Sequence, residues 1–314
     1  MNIHLLLSLL MCMLVRSMKV SSKFRHDLKI TNGVPADNLY QFVARIVFKR
    51  GTLCTGSIIS KLYTLTAAHC LLNPNDKFIP AAQVLVQYKL LKFDLEAPEE
   101  NLSPGKEFVI HPNFIPHQPS NYDFALIKVA KEIIISKYLD LSDKPWPQDE
   151  QMYKRKCITV GWGSIASGRT VSNQLLMVNV TARHGYLGCK CFFSNEYLRL
   201  ICTNEKESGL CEEDLGAPLI CDNKGVGIGH WFLQVQSCNP LRLSEVNKTC
   251  ANTISVYMYI CPVLNWLHKH VAHVPLEPDT CRGHRTATQS PLIFFFFLAY
   301  TITANIKSQT FNFL

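Results

Sequence analysis

Short apolar segments that alternate with turn residues constrain the fold of this chain more than any other feature of its sequence. The segments are about four to seven residues long, are rich in Val and Ile, and are separated by Gly, Pro, Asn and Asp. This pattern is typical of an all-β barrel or sandwich. Examples are residues 42–48, 84–88, 124–129, 157–160 and 254–260. Only residues 262–271 place apolar side chains at helical spacing, which predicts one helix near the end of the strand-rich region.

The first residues have the pattern of a secretory leader. Residues 5–15 are apolar but too few to span a bilayer, and Val15 and Ser17 suit signal peptidase. We therefore predict a signal peptide at residues 1–17 and a propeptide-like segment at residues 18–29. A chain with this leader is expected to be secreted and extracellular.

The cysteine count fits the oxidising environment outside the cell. The chain has 13 cysteines, and 12 remain once Cys12 leaves with the leader, enough for up to six disulfides. None of their spacings suits a zinc site, so we predict no metal site and no cofactor. Three sequons make Asn101, Asn179 and Asn247 candidate glycosylation sites. Pro104 disfavours the first sequon, and a strand predicted around the second is expected to hide its asparagine.

Charge and the C-terminal tail bear on possible partners. Lys and Arg outnumber Asp and Glu by eight, but these charges are spread along the chain. We therefore predict a solvated basic surface and no nucleic-acid partner. The tail, residues 272–314, contains an apolar run at residues 292–304 that is shorter than the ~20 residues a spanning helix needs. A membrane anchor is not favoured, although membrane association through this tail stays open.

Four motifs stand in an order that is typical of one enzyme family. They are Thr66-Ala-Ala-His-Cys70, Asn121-Tyr-Asp-Phe-Ala-Leu-Ile-Lys128, Cys157-Ile-Thr-Val-Gly-Trp-Gly163 and Cys211-Glu-Glu-Asp-Leu-Gly-Ala-Pro-Leu-Ile-Cys221. With these motifs, residues 30–271 resemble the trypsin/chymotrypsin-like serine proteases. The resemblance implies an all-β fold of two antiparallel six-stranded barrels that meet near residues 140–150, followed by a C-terminal helix.

The resemblance assigns catalytic positions, and the residue at the nucleophile position differs from the family pattern. Hydrolysis in this family needs a hydroxyl nucleophile, an imidazole base, a buried carboxylate and two amides that stabilise the oxyanion. His69 matches the base and Asp123 the carboxylate, but Leu215 stands where the family has its serine. In another triad protease, loss of the nucleophile alone lowers kcat by about 2 × 10⁶-fold. Glu213 occupies an oxyanion-hole position, where a carboxylate opposes developing negative charge.

The substrate pocket differs from the family pattern as well. Gly209 stands at the base of the pocket, so the acidic group that selects Arg or Lys is absent. Phe232 is expected to fill the pocket, and His230 replaces a serine that aligns substrate in the family. We therefore predict that His69 and Asp123 are remnants of a triad and that the chain has no peptidase activity.

The resemblance also implies an activation junction and a set of disulfides. Lys29-Ile30 resembles the cleavage site, and Asp214 stands where the family pairs a carboxylate with the freed amino terminus. Cleavage there is either a conformational switch or an unused remnant. The implied disulfides are Cys54–Cys70, Cys157–Cys221, Cys202 with Cys189 or Cys191, and Cys211 with Cys238 or Cys250. Two of these cysteines, with Cys261 and Cys281, are left for two further bridges, one of which could tether the tail.

Together, these expectations predict a secreted, inactive serine protease homologue that acts by binding. Its partner is expected to be an extracellular protease, zymogen or receptor, in a proteolytic network such as that of immune or reproductive fluid. One alternative is an active serine-type endopeptidase with another nucleophile, for which Ser208 and Cys211 are nearby but out of reach of His69 in the inherited geometry. A second alternative is a membrane-tethered adhesion protein.

Overall fold

Some strands of this protein alternate between buried and solvent-facing side chains, whereas others are buried along almost their whole length. In the strand Leu176–His184 the even-numbered residues are buried, whereas Asn179 and Thr181 are exposed, as a period of two requires. The computed structural model describes residues 33–48, 51–92, 98–116, 122–147, 154–163, 173–185, 188–189, 200–205, 208–234 and 253–282. The predicted leader, the activation junction and the apolar run at residues 292–304 lie outside these residues.

The first half of the chain forms a closed antiparallel barrel. A two-residue strand, β1 (Val34–Pro35), precedes it. The barrel strands are β2 (Val43–Phe48), β3 (Gly51–Ile58), β4 (Tyr63–Thr66), β5 (Val84–Gln87), β6 (Leu102–Ile110) and β7 (Ala125–Val129). They close in the order β2-β3-β4-β7-β6-β5. Ile46, Leu65 and Leu126 are fully buried inside it, and burial of such a side chain stabilises the fold by about 1.5–3 kcal/mol.

The second half repeats this architecture. Its strands are β8 (Lys154–Gly161), β9 (Leu176–His184), β10 (Leu200–Asn204), β11 (Pro218–Cys221), β12 (Lys224–Gln234) and β13 (Thr253–Tyr259). They run in the order β9-β10-β13-β12-β11-β8, and pairing of β8 with β9 closes the ring. β1 pairs with the start of β9, so the beginning of the described chain is attached to the second barrel.

One short helix follows the second barrel. A 3₁₀ turn at Cys261–Val263 leads into the helix α1 (Leu264–His270), whose buried residues are Leu264 and Leu267. Pro262 lies at the start of the 3₁₀ turn, where its missing N–H leaves no unpaired donor. The predicted fold of two six-stranded antiparallel barrels with a C-terminal helix is confirmed. No helix in the described part of the chain is long and apolar enough to span a membrane.

The connection between the barrels packs onto the second barrel. Leu141 forms a parallel bridge with Gly225, and the N–H of Trp146 donates a 2.8 Å hydrogen bond to the hydroxyl of Tyr259. Trp146 is only 1% exposed. The segment predicted to join the two lobes is therefore anchored to the second barrel by a buried indole.

Candidate functional site

His69 lies at the junction of the two barrels, directly after β4. The chain turns there through a 3₁₀ segment, Ala68–Leu71, in which Ala68, Cys70 and Leu71 are buried. The disulfide between Cys70 and Cys54 fixes the residue that follows His69 to β3. The His69 imidazole itself is 32% exposed. The buried residues beside it therefore fix its backbone, while the ring stays partly accessible to solvent.

Asp123 precedes β7 and binds His69 twice. Its Oδ1 accepts a 2.8 Å hydrogen bond from the His69 N–H, and its Oδ2 lies 2.5 Å from Nδ1 of the His69 ring. The carboxylate is 1% exposed. Burial alone would raise the pKa of Asp123, but the imidazoles of His69 and His230 outweigh it and hold the pKa far below its usual range. Asp123 is therefore an anion at any physiological pH.

His230, on β12, is a third member of this cluster. Its Nδ1 lies 2.7 Å from the same Oδ2 of Asp123, and its side chain is 8% exposed. The rings of His69 and His230 meet edge to face, with centroids 6.2 Å apart. The sequence predicts only a substrate-pocket position for His230. The contact with Asp123 could not be predicted, because nothing in the local sequence shows that an imidazole at that position reaches Asp123.

The charge of Asp123 changes the acid–base behaviour of His69. Burial lowers the pKa of the His69 imidazole, whereas the Asp123 charge and hydrogen bond raise it, and the net shift is upward. Such a histidine has the tautomer and basicity of a general base. The arrangement is thus chemically capable of accepting a proton if an adjacent group supplies one.

Leu215 is the residue that the family resemblance assigns to the nucleophile position. The 3₁₀ turn Glu212–Asp214 precedes it, and its N–H donates to the carbonyl of Glu212 at 3.3 Å. Its carbonyl accepts a 2.9 Å hydrogen bond from the Thr55 N–H. The side chain consists of carbon and hydrogen only, so it has no proton to give and no lone pair to attack with. In the serine proteases that this chain resembles, the amide at this position helps to stabilise the oxyanion. Here the Leu215 N–H is engaged in a local turn instead.

Glu213 is bound to the first barrel through its carbonyl. The hydroxyl of Thr55 donates a 2.8 Å hydrogen bond to that carbonyl and accepts one from the Trp162 N–H at 3.2 Å. Burial lowers the pKa of Arg45 to about 10, while the charge of Glu213 raises it, so the Glu213 carboxylate also acts on β2. These contacts fix the 3₁₀ turn against the first barrel.

Asp214 is fully buried, next to Leu215. Its carboxylate accepts hydrogen bonds from the N–H groups of Gly163, at 2.6 Å, and Cys211, at 3.1 Å. Burial raises the pKa of Asp214 to about 7, against the effect of those two bonds, and the charge of Glu213 raises it further. A Cβ on Gly163 would lie 2.0 Å from the carboxylate, so only glycine fits there. Lys29 and Ile30, the predicted junction, lie outside the described residues.

The sequence profile named Trypsin matches residues 30–267 of this chain. The chain belongs to the trypsin family. It is 29% identical to granzyme A of Bos taurus over 233 residues, which cover 70% of this chain and 80% of that protein. It is 25% identical to kallikrein-10 of Homo sapiens over 229 residues, which cover 69% and 73%.

Two further comparisons differ in how much they cover. The chain is 26% identical to ovochymase-2 of Mus musculus over 252 residues, which are 74% of this chain but only 39% of that protein. The chain therefore spans well under half of ovochymase-2. The structure of neuropsin, a serine protease of mouse brain, matches with a TM-score of 0.60 and 19% identity, covering 76% of this chain and 98% of neuropsin. That match shows the shared fold.

Three of the four disulfides found within the described residues agree with pairings implied by the family resemblance, and the fourth joins two cysteines whose pairing was left open. Cys54 is bonded to Cys70, Cys157 to Cys221, Cys189 to Cys202 and Cys261 to Cys281. Cys189, rather than Cys191, is thus the partner of Cys202. Cys211 is also disulfide-bonded, and both of its proposed partners, Cys238 and Cys250, lie outside the described residues. The Cys261–Cys281 bridge attaches the chain beyond α1 to the end of β13.

The remaining predicted positions are two in the substrate pocket and three glycosylation sequons. Gly209 is buried just before Cys211, and Phe232 is half-buried on β12, packed against the core. Whether Phe232 fills the pocket stays a prediction. Among the sequons, Asn179 is exposed on β9, so the strand does not hide it as expected, because odd-numbered residues of this strand face solvent. Asn101 is half-buried in a 3₁₀ turn, and Asn247 lies outside the described residues.

Proposed function

We propose that this member of the trypsin family is proteolytically inactive and acts by binding another protein. One observation supports this proposal above all others: Leu215 stands at the nucleophile position while its N–H is engaged with the carbonyl of Glu212. Loss of a nucleophile alone removes a factor of about 10⁶ from kcat. Loss of an oxyanion donor removes a further factor of about 10²–10³.

The charge of Glu213 supports the same proposal. A tetrahedral intermediate places negative charge beside the amides of residues 213 and 215, and a nearby carboxylate raises the energy of that state. An arginine side chain, Arg45, is within reach of the Glu213 charge, but it lies buried on β2. The two charges are therefore close enough to interact electrostatically, and the Glu213 carboxylate remains beside the position where the oxyanion would form.

The alternative of another nucleophile receives no support from the nearby candidates. Cys211 is fully buried and disulfide-bonded, so it has no thiolate to offer. Ser208 is half-buried and precedes Gly209, toward the base of the predicted pocket. An active site built on Ser208 would need an imidazole there, and His69 and His230 are both bound to Asp123.

We further propose that the protein is secreted and binds an extracellular protease, zymogen or receptor. The predicted leader and the four disulfides of the described residues support export, because such bridges persist in oxidising environments. A protease fold without turnover retains its surface loops, which are the usual binding elements of a rigid β scaffold. It can therefore compete with, or recruit, the partners of an active protease.

Affinity capture tests the binding role. The purified chain, either intact or cleaved after Lys29, is immobilised and exposed to extracellular fluid from its own source. We expect one form to retain a defined protease, zymogen or receptor with 1:1 stoichiometry. Addition of the same chain in soluble form should compete for this partner and prevent its retention. If neither form retains such a protein, the binding role is wrong. A membrane-tethered adhesion protein would instead need detergent for its release from cells.

A further inference from the structure

Two imidazoles, one from each barrel, converge on one buried carboxylate oxygen atom. Asp123 Oδ2 lies 2.5 Å from Nδ1 of His69 and 2.7 Å from Nδ1 of His230. His69 and Asp123 belong to the first barrel, and His230 lies on β12 of the second barrel. One ligand atom from each of the three residues falls within 4.8 Å of the others. The barrels therefore meet at a cluster of two imidazoles and one carboxylate.

We propose that His69, Asp123 and His230 bind one zinc ion that joins the two barrels. Two imidazole nitrogens and one carboxylate oxygen are a ligand set that Zn²⁺ takes in proteins, with water in the fourth position. The buried carboxylate supplies a negative charge in a region of low dielectric constant, where its attraction for a dication is weakly screened. This proposal replaces the expectation of no metal site, which considered only cysteine spacings.

The cluster needs little rearrangement to accept the ion. Zinc binds nitrogen and oxygen at about 2.0–2.2 Å, so tetrahedral ligand atoms lie roughly 3.3 Å apart. The present separations of 2.5 and 2.7 Å are those of hydrogen bonds, and they must widen by less than about 1 Å. His69 is 32% exposed and can turn outward to allow this. Each ring then binds through Nδ1 and carries its proton on Nε2.

The substitutions in this chain favour such a site. The family pattern has serine where this chain has His230, and a serine hydroxyl is a poor zinc ligand. The replacement supplies the third ligand, on the barrel that otherwise contributes none. A second group, Cys54, His69 and Cys70, is close enough to hold an ion, but its cysteines are joined in a disulfide and offer no thiolate.

Metal titration of the full-length chain, expressed through an oxidising secretory pathway, tests the proposal. Zn²⁺ is titrated by calorimetry, and Co²⁺ is used as a spectroscopic substitute because its visible absorption reports tetrahedral nitrogen and oxygen ligands. We expect one equivalent to bind, and saturating Zn²⁺ to raise the melting temperature, because the ion binds only the folded state. His230→Ser and His69→Gln should each weaken binding by at least about tenfold.

A matched control identifies the site. His270→Gln removes a histidine on α1, outside the cluster, and should leave both the affinity and the Co²⁺ spectrum unchanged. Metal-free thermal unfolding of each variant establishes that it is folded, and His69→Gln is the milder change because that ring is partly exposed. Absence of stoichiometric binding by the parent chain would overturn the proposal. Binding that both cluster variants retain unchanged would overturn it equally.

Discussion

The hydroxyl of Thr55, in the first barrel, donates a 2.8 Å hydrogen bond to the carbonyl of Glu213, beside the second barrel. The Thr55 N–H also binds the carbonyl of Leu215 at 2.9 Å. One residue of β3 thus fixes both ends of the segment that would form the oxyanion hole of an active relative. This segment is folded into a 3₁₀ turn in which the Leu215 amide points to Glu212.

Removing the Thr55 hydroxyl should loosen this connection. Thr55→Val keeps the size of the side chain but loses the bonds to Glu213 and Trp162 in a fully buried environment. We expect the free energy of unfolding to fall by about 1–3 kcal/mol, measured by denaturant titration. Thr55→Ser retains the hydroxyl and should lose much less. Equal losses in the two variants would show that the hydroxyl bonds are unimportant.

A serine at position 215 should not by itself restore a reactive nucleophile. In Leu215→Ser the amide of residue 215 is still engaged with Glu212, and the Glu213 carboxylate is still present. We expect labelling by a fluorophosphonate probe to stay at background in this variant. Adding Glu213→Gly removes the carboxylate that opposes the developing negative charge and should raise the labelling rate above that of the single variant. Fast labelling of the single variant would contradict this account, and Leu215→Ala with Glu213→Gly is the unreactive control.

The buried Asp214 should make stability depend on pH. Its pKa is about 7 in the folded chain and about 3.9 when unfolded, so the folded state binds more protons between these values. The contribution of Asp214 to the free energy of unfolding is therefore fully present below pH 4. It falls as pH rises to 7, by about 1.4 kcal/mol per pH unit. Asp214→Asn removes this dependence, so the variant should gain stability relative to the parent as pH rises.

Denaturant titrations of the uncleaved chain at several pH values between 4 and 8 measure that difference. Comparison with the parent cancels the titration of all distant groups. The control is Asp279→Asn, which makes the same substitution at an exposed aspartate outside this site. A parent-to-Asp214→Asn difference that is constant with pH would show that Asp214 does not take up a proton in this range.

The Asp123 charge should set the basicity of His69. Asp123 raises the pKa of the His69 imidazole against the effect of burial, so Asp123→Asn should lower that pKa. An NMR titration of the ring carbon resonances follows the change directly. Glu107→Gln, which alters an exposed carboxylate paired with Lys128, is the matched control and should leave the His69 titration unchanged. An unchanged pKa in Asp123→Asn would disprove the coupling.

Much of the fold could be predicted from the sequence, because strand and turn residues follow a simple period. The alternation in residues 175–180 continues along β9, and the helix predicted at residues 262–271 contains α1. The first part of β6 was missed, since Pro104 and Gly105 interrupt the apolar pattern. The structure tolerates them because the β6–β7 register shifts just after Gly105, and pairing continues on either side.

The site was predictable where motifs specify it and unpredictable where contacts decide it. His69 and Asp123 follow from family motifs, and the structure joins them. The contact between His230 and Asp123 depends on the separation of two barrels and has no signature in the chain. The engagement of the Leu215 amide is likewise a matter of backbone geometry, which a leucine at that position does not specify.

Peptide hydrolysis by the processed chain decides whether this protein is a protease. The protein is cleaved after Lys29, its new amino terminus is verified, and it is incubated with a broad library of peptide substrates beside the His69→Ala variant. We predict that both proteins show the same background release of products at every protein concentration. Turnover by the parent that disappears in His69→Ala would establish an active protease and rule out the proposed inactivity.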